Sequence, residues 1–352
     1  MTDRTDDRET LAQWGVPLRA LVLTPHPDLR SAVTKDLPPE IGERIRFEHY
    51  DPGNGAPPLR ELREYDILVT GWGSPMLPPE LAEQETENAS SSYRRPRYVL
   101  HLTGEMRRIV PRELVKSTSW IVTNWGTAIS HFVAEMNLAL LLAAARRIPE
   151  AGSAIASGRW KDDLAPGTTL FGKVIGLYGY GRIASHFLCL LEPFGCHILV
   201  YDPYVSDHEL HGLERVHTPE ELFDRGSIVS LHAALTPESE GRIGYDLLGR
   251  LPGDGIVTNT ARAGLIAEDA LIRAVRETTL RFGLDVYHSE PPDRNAEIVT
   301  CDRVVCTPHS GGEVGEETYE QIRHVAMENL RRYLDGENPE FVIDESAYDH
   351  MT

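Results

Sequence analysis

Three short segments of this 352-residue chain gather residue types that together could reduce a carbonyl group. They are Asn259-Thr260-Ala261-Arg262-Ala263-Gly264, Gly283-Leu284-Asp285-Val286-Tyr287-His288-Ser289-Glu290-Pro291-Pro292 and Thr307-Pro308-His309-Ser310-Gly311-Gly312. Reducing a 2-oxo acid needs a cation for the carboxylate, a proton donor for the carbonyl oxygen, and a hydride source fixed over the carbon. Arg262 can supply the first by a two-pronged contact. His309 can supply the proton, and Glu290 beside it would stabilise the imidazolium and keep the donor charged near neutral pH. Singly, each has a plainer reading: Arg262 in a surface ion pair, Glu290 as a loop carboxylate, His309 as a satisfied core histidine. Three such segments in series behind a dinucleotide motif argue against all of those plain readings at once.

That motif is Gly179-Tyr180-Gly181-Arg182-Ile183-Ala184, which follows the apolar run Val174–Tyr178 and opens an amphipathic helix through Phe187, Leu190 and Leu191. It fits the GxGxxG/A pattern. The first glycine makes the tight turn, the second lets the backbone approach a pyrophosphate, and the third small residue lets helix and strand pack closely. Alone the pattern also suits any tight strand-to-helix turn. Its context adds an acidic residue, Asp202, 21 residues after Gly181 at the end of the next strand, Tyr201-Asp202-Pro203. A carboxylate there accepts hydrogen bonds from an adenosine ribose and repels a 2′-phosphate, so the expected cofactor is NAD rather than NADP.

These residues need a sheet to carry them. Short β-rich runs alternate with helical patterns along most of the chain, the order of parallel sheets covered by helices on both faces. The first series of expected strands is Ala20–Thr24, Arg46–Tyr50, Ile67–Thr70, Tyr98–Leu102 and Trp120–Thr123. A helix is expected to begin at Pro78-Pro79, and the Ser-rich, charged stretch Glu83–Arg97 reads as an exposed loop. Ser130–Arg147 forms the longest helical pattern. With Phe132, Val133, Met136, Leu138 and Leu140–Ala145 around most of its circumference, it is expected to be buried, in the core or at a subunit interface. After the polar stretch Gly158–Gly172 a second series follows: Val174–Tyr178, His197–Tyr201, Ile228–His232, Gly255–Asn259, Arg281–Val286 and Arg303–Thr307. The last helical pattern, Glu316–Leu334, ends before Gly336 and could pack back on the first domain.

Length and charge narrow the classes. At roughly 100–200 residues per domain the chain suggests about two domains. Hydrophobic residues at 41% and charged residues at 25% exclude wholesale disorder. With 35 Lys plus Arg against 54 Asp plus Glu, the formal charge of −19 repels phosphate backbones and anionic lipid, so neither nucleic acid nor membrane is an expected partner. The longest apolar run, Leu138 to Ala145, is far short of the ~20 residues that span a bilayer. The polar, acidic N-terminus lacks the features of a signal peptide, which points to the cytoplasm. Cys189, Cys196, Cys301 and Cys306 show no CxxC spacing; the reading is reduced, mostly buried thiols and no metal site.

Taken in order, VAE at Val133–Glu135, GYGRIA, YDP at Tyr201–Pro203, SLHAALTPES at Ser230–Ser239, NTARAGLI at Asn259–Ile266, GLDVYHSEPP and TPHSGG make the sequence resemble the D-isomer-specific 2-hydroxyacid dehydrogenase family over most of its length. The resemblance implies two doubly wound parallel-sheet α/β domains, a Rossmann NAD-binding domain inserted into a flavodoxin-like substrate domain. Residues 1–123 would begin the substrate domain, 124–312 would form the NAD-binding domain with a dimerisation helix, and 313–352 would return to the substrate domain. It further implies that Arg262, Glu290 and His309 take the catalytic places and that Asp285 faces the nicotinamide carboxamide. Arg182 would face the pyrophosphate and Asp202 the ribose, with Gly179, Gly181, Ile183 and Thr260 completing the cofactor contacts. A homodimer and a small 2-oxo or 2-hydroxy acid substrate follow from the same likeness.

Three departures stand out. Ala184 replaces the more frequent third glycine, and Ala263 stands where the family usually has glycine, which would slightly reshape the loop carrying Arg262. The loop that commonly reads GVGxD is here Gly104-Glu105-Met106-Arg107-Arg108. Amides of Gly104, Glu105 and Met106 would still hold a substrate carboxylate with Arg262. Arg107 and Arg108 either point to solvent or select a second anionic group, with Trp72 as part of an apolar wall. Rival readings on the same scaffold are an NADH-responsive, non-catalytic corepressor-like protein and a formate or phosphite dehydrogenase.

Overall fold

The computed structural model describes residues 17–51, 55–83, 96–161 and 164–351; most of the expected loop Glu83–Arg97 lies outside them. The chain forms two compact units, Met1–Ala128 with Gly315–Thr352, and Ile129–Val314. Helices that matter below are α1 (Pro27–Thr34), α2 (Arg112–Lys116), α3 (Ser130–Ala145), α4 (Ile148–Ala156), α5 (Arg182–Leu191), α6 (Pro219–Arg225), α7 (Glu268–Glu277), α8 (Glu316–Leu334) and α9 (Glu345–His350). None of the described helices is long and apolar enough to cross a membrane.

In the first unit, β1 (Leu18–Val22), β2 (Ile45–His49), β3 (Ile67–Thr70), β4 (Arg97–His101) and β5 (Trp120–Thr123) pair in parallel in the order β2-β1-β3-β4-β5. This is the flavodoxin-type order. The central strand β3 is buried at every position, as its unbroken apolar run requires of a strand covered on both faces. The C-terminal segment belongs to this unit: Arg323 of α8 donates to the carbonyl of Ala32 at 3.2 Å, beside α1. Two expectations change. The start at Pro78-Pro79 is a single 3-10 turn, Pro79–Ala82, and α9 follows α8, with the Asp344 side chain accepting from the Ala347 amide at its N-terminus.

In the second unit, β6 (Val174–Tyr178), β7 (His197–Tyr201), β8 (Glu214–Arg215), β9 (Ile228–Leu231), β10 (Ile256–Asn259), β11 (Arg281–Leu284) and β12 (Val304–Cys306) form one parallel sheet, β12-β11-β10-β9-β6-β7-β8. Counted from β6, this is the Rossmann order 3-2-1-4-5-6 with one more strand beyond the sixth. The order reverses between β6 and β9. The chain therefore consists of two parallel-sheet α/β domains.

Helix α3 is shorter than its apolar pattern. It stops at Ala145 because Arg147 adopts a left-handed backbone at φ 56°, so α8, at 19 residues, is longer than α3 at 16. Nor is α3 buried all round: Val133, Ala134, Asn137, Leu140, Leu141 and Ala144 are buried, while His131, Glu135 and Ala139, spaced four apart, are exposed. The cysteines also differ from expectation. All four are free, but Cys189 on the outer face of α5 and Cys306 on the edge strand β12 are exposed, and Cys196 and Cys301 are half-buried.

Candidate active site and cofactor cradle

The glycine-rich turn sits at the reversal point of the second unit's sheet. Gly179 has φ +93°, and a Cβ there would lie 2.5 Å from the Ala233 amide nitrogen, so both conformation and space demand glycine. Gly181, the residue capping α5, has nothing within 4 Å of where its Cβ would be, which leaves open approach to the helix terminus. The first-turn amides of α5, including those of Arg182 and Ile183, have no carbonyl of their own helix to bond and point outward. Asp202 immediately follows β7, where its Oδ2 accepts from the Tyr180 amide at 2.8 Å and its Oδ1 from the Tyr204 amide at 2.8 Å. The carboxylate thus clamps the glycine-rich turn itself, a role the spacing alone did not reveal. Thr260, just past β10, has a buried hydroxyl with no partner among the described residues, the kind of orphan a bound ligand satisfies. These features fit a dinucleotide.

The two-residue strand β8 brings Arg215 to the same loop, where Nη1 donates to the Asp202 carbonyl at 2.8 Å and Nε to Asp207 at 2.5 Å. Its guanidinium contacts the loop backbone and Asp207 rather than the Asp202 carboxylate, which keeps its own charge beside the glycine-rich turn. Replacing Asp202 by Ala is therefore expected to erode a preference for NADH over NADPH by about tenfold or more, since one charged contact is worth roughly 1.5–3 kcal/mol. The ratio of kcat/KM for the two cofactors in wild type and variant measures it; an unchanged ratio refutes the role.

His309 and Glu290 meet in the same unit, with Nδ1 of His309 2.8 Å from Oε2 of Glu290. The other carboxylate oxygen of Glu290 accepts from the Tyr287 amide at 3.1 Å. Burial alone would raise the Glu290 pKa, but the His309 hydrogen bond, the Tyr287 amide and the charges of His309 and Arg262 outweigh it and hold the carboxyl below its usual range. An ionised carboxylate only accepts, so His309 Nδ1 carries the proton and Nε2 is left for chemistry.

His309 is placed by its turn. Its backbone is left-handed at φ +54°, uncommon for a residue with a side chain. What holds it there is Asp285, 2% exposed, whose Oδ1 accepts from Thr307 Oγ1 at 2.6 Å and the Ser310 amide at 3.0 Å, and whose Oδ2 accepts from the Gly311 amide at 2.8 Å. A Cβ on Gly311 would lie 2.8 Å from that Oδ2, which explains the glycine. Arg262 is held similarly by Asn259, 1% exposed, which bonds the Ala261 amide at 3.0 Å and the Arg262 carbonyl at 2.9 Å. Ala263 begins the 3-10 turn Ala263–Leu265 without a positive φ, so the alanine is accommodated there.

In the first unit the turn Gly104–Met106 follows β4. Met106 is 0% exposed and belongs to the core cluster with Leu68, Leu77 and Val110, so its side chain is structural and only its amide is available. Glu105 accepts from the Arg107 amide at 2.8 Å and lies 3.6 Å from Arg107 Nε, drawing that arginine back onto its own turn; Arg108 is exposed. Gly104 is a packing glycine, since a Cβ would lie 2.8 Å from Trp125 Nε1. Trp125 meets Trp72 edge to face at 5.9 Å, and Trp72 meets His26 at 5.6 Å. The sequence reading overlooked His101, 0% exposed, which anchors the turn: Nδ1 is 2.8 Å from Thr70 Oγ1 and Nε2 is 3.0 Å from the Glu105 carbonyl. Burial pushes its pKa down to about 4, so it is a neutral tether.

Known proteins resemble this chain in the same terms. Residues 138–311 match the family model described as D-isomer specific 2-hydroxyacid dehydrogenase, NAD binding domain. D-3-phosphoglycerate dehydrogenase of Methanocaldococcus jannaschii is 37% identical over 227 residues, 64% of this chain but 43% of that protein, so the chain spans less than half the length of this relative. Glyoxylate reductase of Korarchaeum cryptofilum is 31% identical over 232 residues, covering 64% of this chain and 70% of the relative. A Thermus thermophilus protein of known structure superposes with a TM-score of 0.70 at 25% identity, covering 93% of this chain and 100% of the other. With that coverage of the reductase, the NAD-binding-domain match and the two-sheet fold, the chain belongs to the D-isomer-specific 2-hydroxyacid dehydrogenase family.

Proposed function

We propose that this protein is an oxidoreductase that transfers a hydride between NAD(H) and a small 2-hydroxy or 2-oxo acid. The observation that carries the reading is the 2.8 Å contact between His309 and Glu290, with the Arg262 charge close enough to help ionise Glu290, in the same unit as the glycine-rich turn. Bound NADH supplies the hydride. Nε2–H of the charged His309 gives its proton to the carbonyl oxygen in reduction, and the neutral ring takes the hydroxyl proton back in oxidation. Arg262 holds the carboxylate. The unit Ile129–Val314 is assigned to the dinucleotide, with contacts from Gly179, Gly181, Arg182, Ile183, Asp202, Thr260 and Asp285. The other unit is assigned to substrate through amides of Gly104, Glu105 and Met106, an assignment that rests on the family likeness. A homodimer is part of the reading, supported by Ile148, Ile155 and Trp160, at least 58% exposed on and just after α4; sedimentation of the protein at monomer mass at micromolar concentration refutes it.

A panel of glyoxylate, hydroxypyruvate, pyruvate and phenylpyruvate, followed by NADH consumption, tests the activity. Within it, Arg262→Ala should lower kcat/KM by about 10–100-fold, because a charge-assisted hydrogen bond contributes roughly 1.5–3 kcal/mol, while the Kd for NADH stays within threefold. Turnover of no panel member despite tight NADH binding overturns the enzymatic reading. Equal kcat/KM for wild type and variant removes Arg262 from the site.

A further inference from the structure

Inside the second unit a chain of buried polar groups runs from α3 to the C-terminal end of the sheet's central strands. Asn137 of α3, 0% exposed, donates from Nδ2 to Ser230 Oγ at 2.8 Å. Thr258 Oγ1 donates to the same oxygen at 2.9 Å, and Ser230 Oγ lies 2.9 Å from His232 Nε2. A hydroxyl has one proton and two lone pairs. With both lone pairs engaged by Asn137 and Thr258, the Ser230 proton points at His232 Nε2, which must accept it. The ring therefore carries its own proton on Nδ1. Desolvation pushes the His232 pKa down to about 3, which keeps the ring neutral and leaves that tautomer in place. His232 Nδ1 is buried and has no hydrogen-bond partner among the described residues.

Its location gives the orphaned N–H a meaning. His232 is the first residue past β9, and its amide donates to the Tyr178 carbonyl at the end of β6 at 2.8 Å. Its carbonyl carbon is 2.9 Å from where a Cβ on Gly179 would sit, and its ring lies 5.4 Å from Phe187 of α5. These are the two strands between which the sheet order reverses, and doubly wound folds hold a dinucleotide pyrophosphate at that point, against the following helix terminus.

We propose that His232 is a cofactor-binding residue whose Nδ1–H is donated to the pyrophosphate of the bound dinucleotide, and that Ser230, Thr258 and Asn137 are the positioning residues that fix which ring nitrogen bears the proton. The proposal rests on the NAD reading above. It makes the buried chain a device for presenting a side-chain N–H donor beside the backbone amides of the glycine-rich turn.

Calorimetric titration of the full-length protein with NADH, ADP and adenosine tests it. His232→Phe keeps the aromatic packing on Phe187 and should weaken NADH and ADP about tenfold, the cost of one hydrogen bond to a charged group, while adenosine binding is unchanged. His232→Asn, which restores an N–H donor, should recover most of the loss, and Ser230→Ala should fall between. Unchanged NADH and ADP affinity in His232→Phe, or an equal loss for adenosine, overturns the proposal. Failure of the wild type to bind NADH or ADP overturns the NAD reading beneath it. Should the variants not fold, long-range 1H–15N spectra of the wild-type protein decide the tautomer: an Nδ1–H ring is expected, and an Nε2–H ring overturns the proposal.

Discussion

His309→Asn is expected to lower 2-oxo acid reduction by about 10²–10⁴-fold, the usual contribution of a positioned acid, while the protein still binds NADH. Asparagine tolerates the left-handed backbone that His309 adopts at φ +54°, so the turn survives and the loss reports the missing proton donor. The partner variant is more diagnostic. Glu290→Gln keeps the shape of the contact but replaces a carboxylate, which only accepts, with an amide that can present either an oxygen or an N–H to His309 Nδ1. A lower kcat at unchanged NADH affinity is therefore expected in Glu290→Gln, because the ring is no longer held in one tautomer and orientation. The wild-type pair also has an acid limit of known sign. Because the Glu290 carboxyl is held below its usual 4.5, its ionised form is fully present above that value and is lost only as pH falls through the depressed one. A pH–rate profile of both variants checks this, and near-wild-type turnover in His309→Asn removes the histidine from the chemistry.

How much of this was readable from the chain depends on the range of the interaction. Local patterns carried the sheets: Ile67–Thr70, Trp120–Thr123, Val174–Tyr178 and His197–Tyr201 have the bounds that their apolar runs suggest. The two-residue strand β8 gave no periodicity to read, yet it brings Arg215 to the Asp202 loop from 13 residues away. Helix α9 did have a signal, Asp344 three residues before Ala347, at the position of a capping side chain. Side-chain accounting was out of reach. Glu105 and Arg107 read as two opposite charges in a substrate loop, and only the fold shows one turned onto the other. Met106 read, by the family likeness, as a loop residue offering its amide to substrate; that its side chain is buried in the core shows only in the fold. His101 and His232 were unexceptional histidines until their partners could be counted: Thr70 from the neighbouring strand β3 for His101, and for His232 a Ser230 hydroxyl already engaged by Asn137 and Thr258 from other elements.

Asp285 shows the same gap at the centre of the site, and its replacement is the second large effect expected. By resemblance it belongs to the nicotinamide carboxamide; in the fold its carboxylate already accepts three hydrogen bonds from the segment Thr307–Gly311. A carboxylate has about four acceptor positions, so three bonds leave roughly one for a ligand. In Asp285→Asn the amide must turn one N–H toward a donor. With the oxygen on the Thr307 and Ser310 side, the NH2 group faces the Gly311 amide, and the flipped amide strands the other two donors instead. Each stranded buried donor costs about 1–3 kcal/mol, so the variant should melt several degrees lower and the turn should lose its grip on the left-handed His309. A fall in kcat of about 10–10³-fold is then expected even at saturating NADH, because misplacing the acid acts on the chemical step. ADP affinity should stay within threefold, since ADP binds the glycine-rich turn and lacks the nicotinamide. If instead Asp285→Asn weakens NADH strongly while leaving kcat and the melting temperature alone, the residue serves the carboxamide and the turn is held by its backbone.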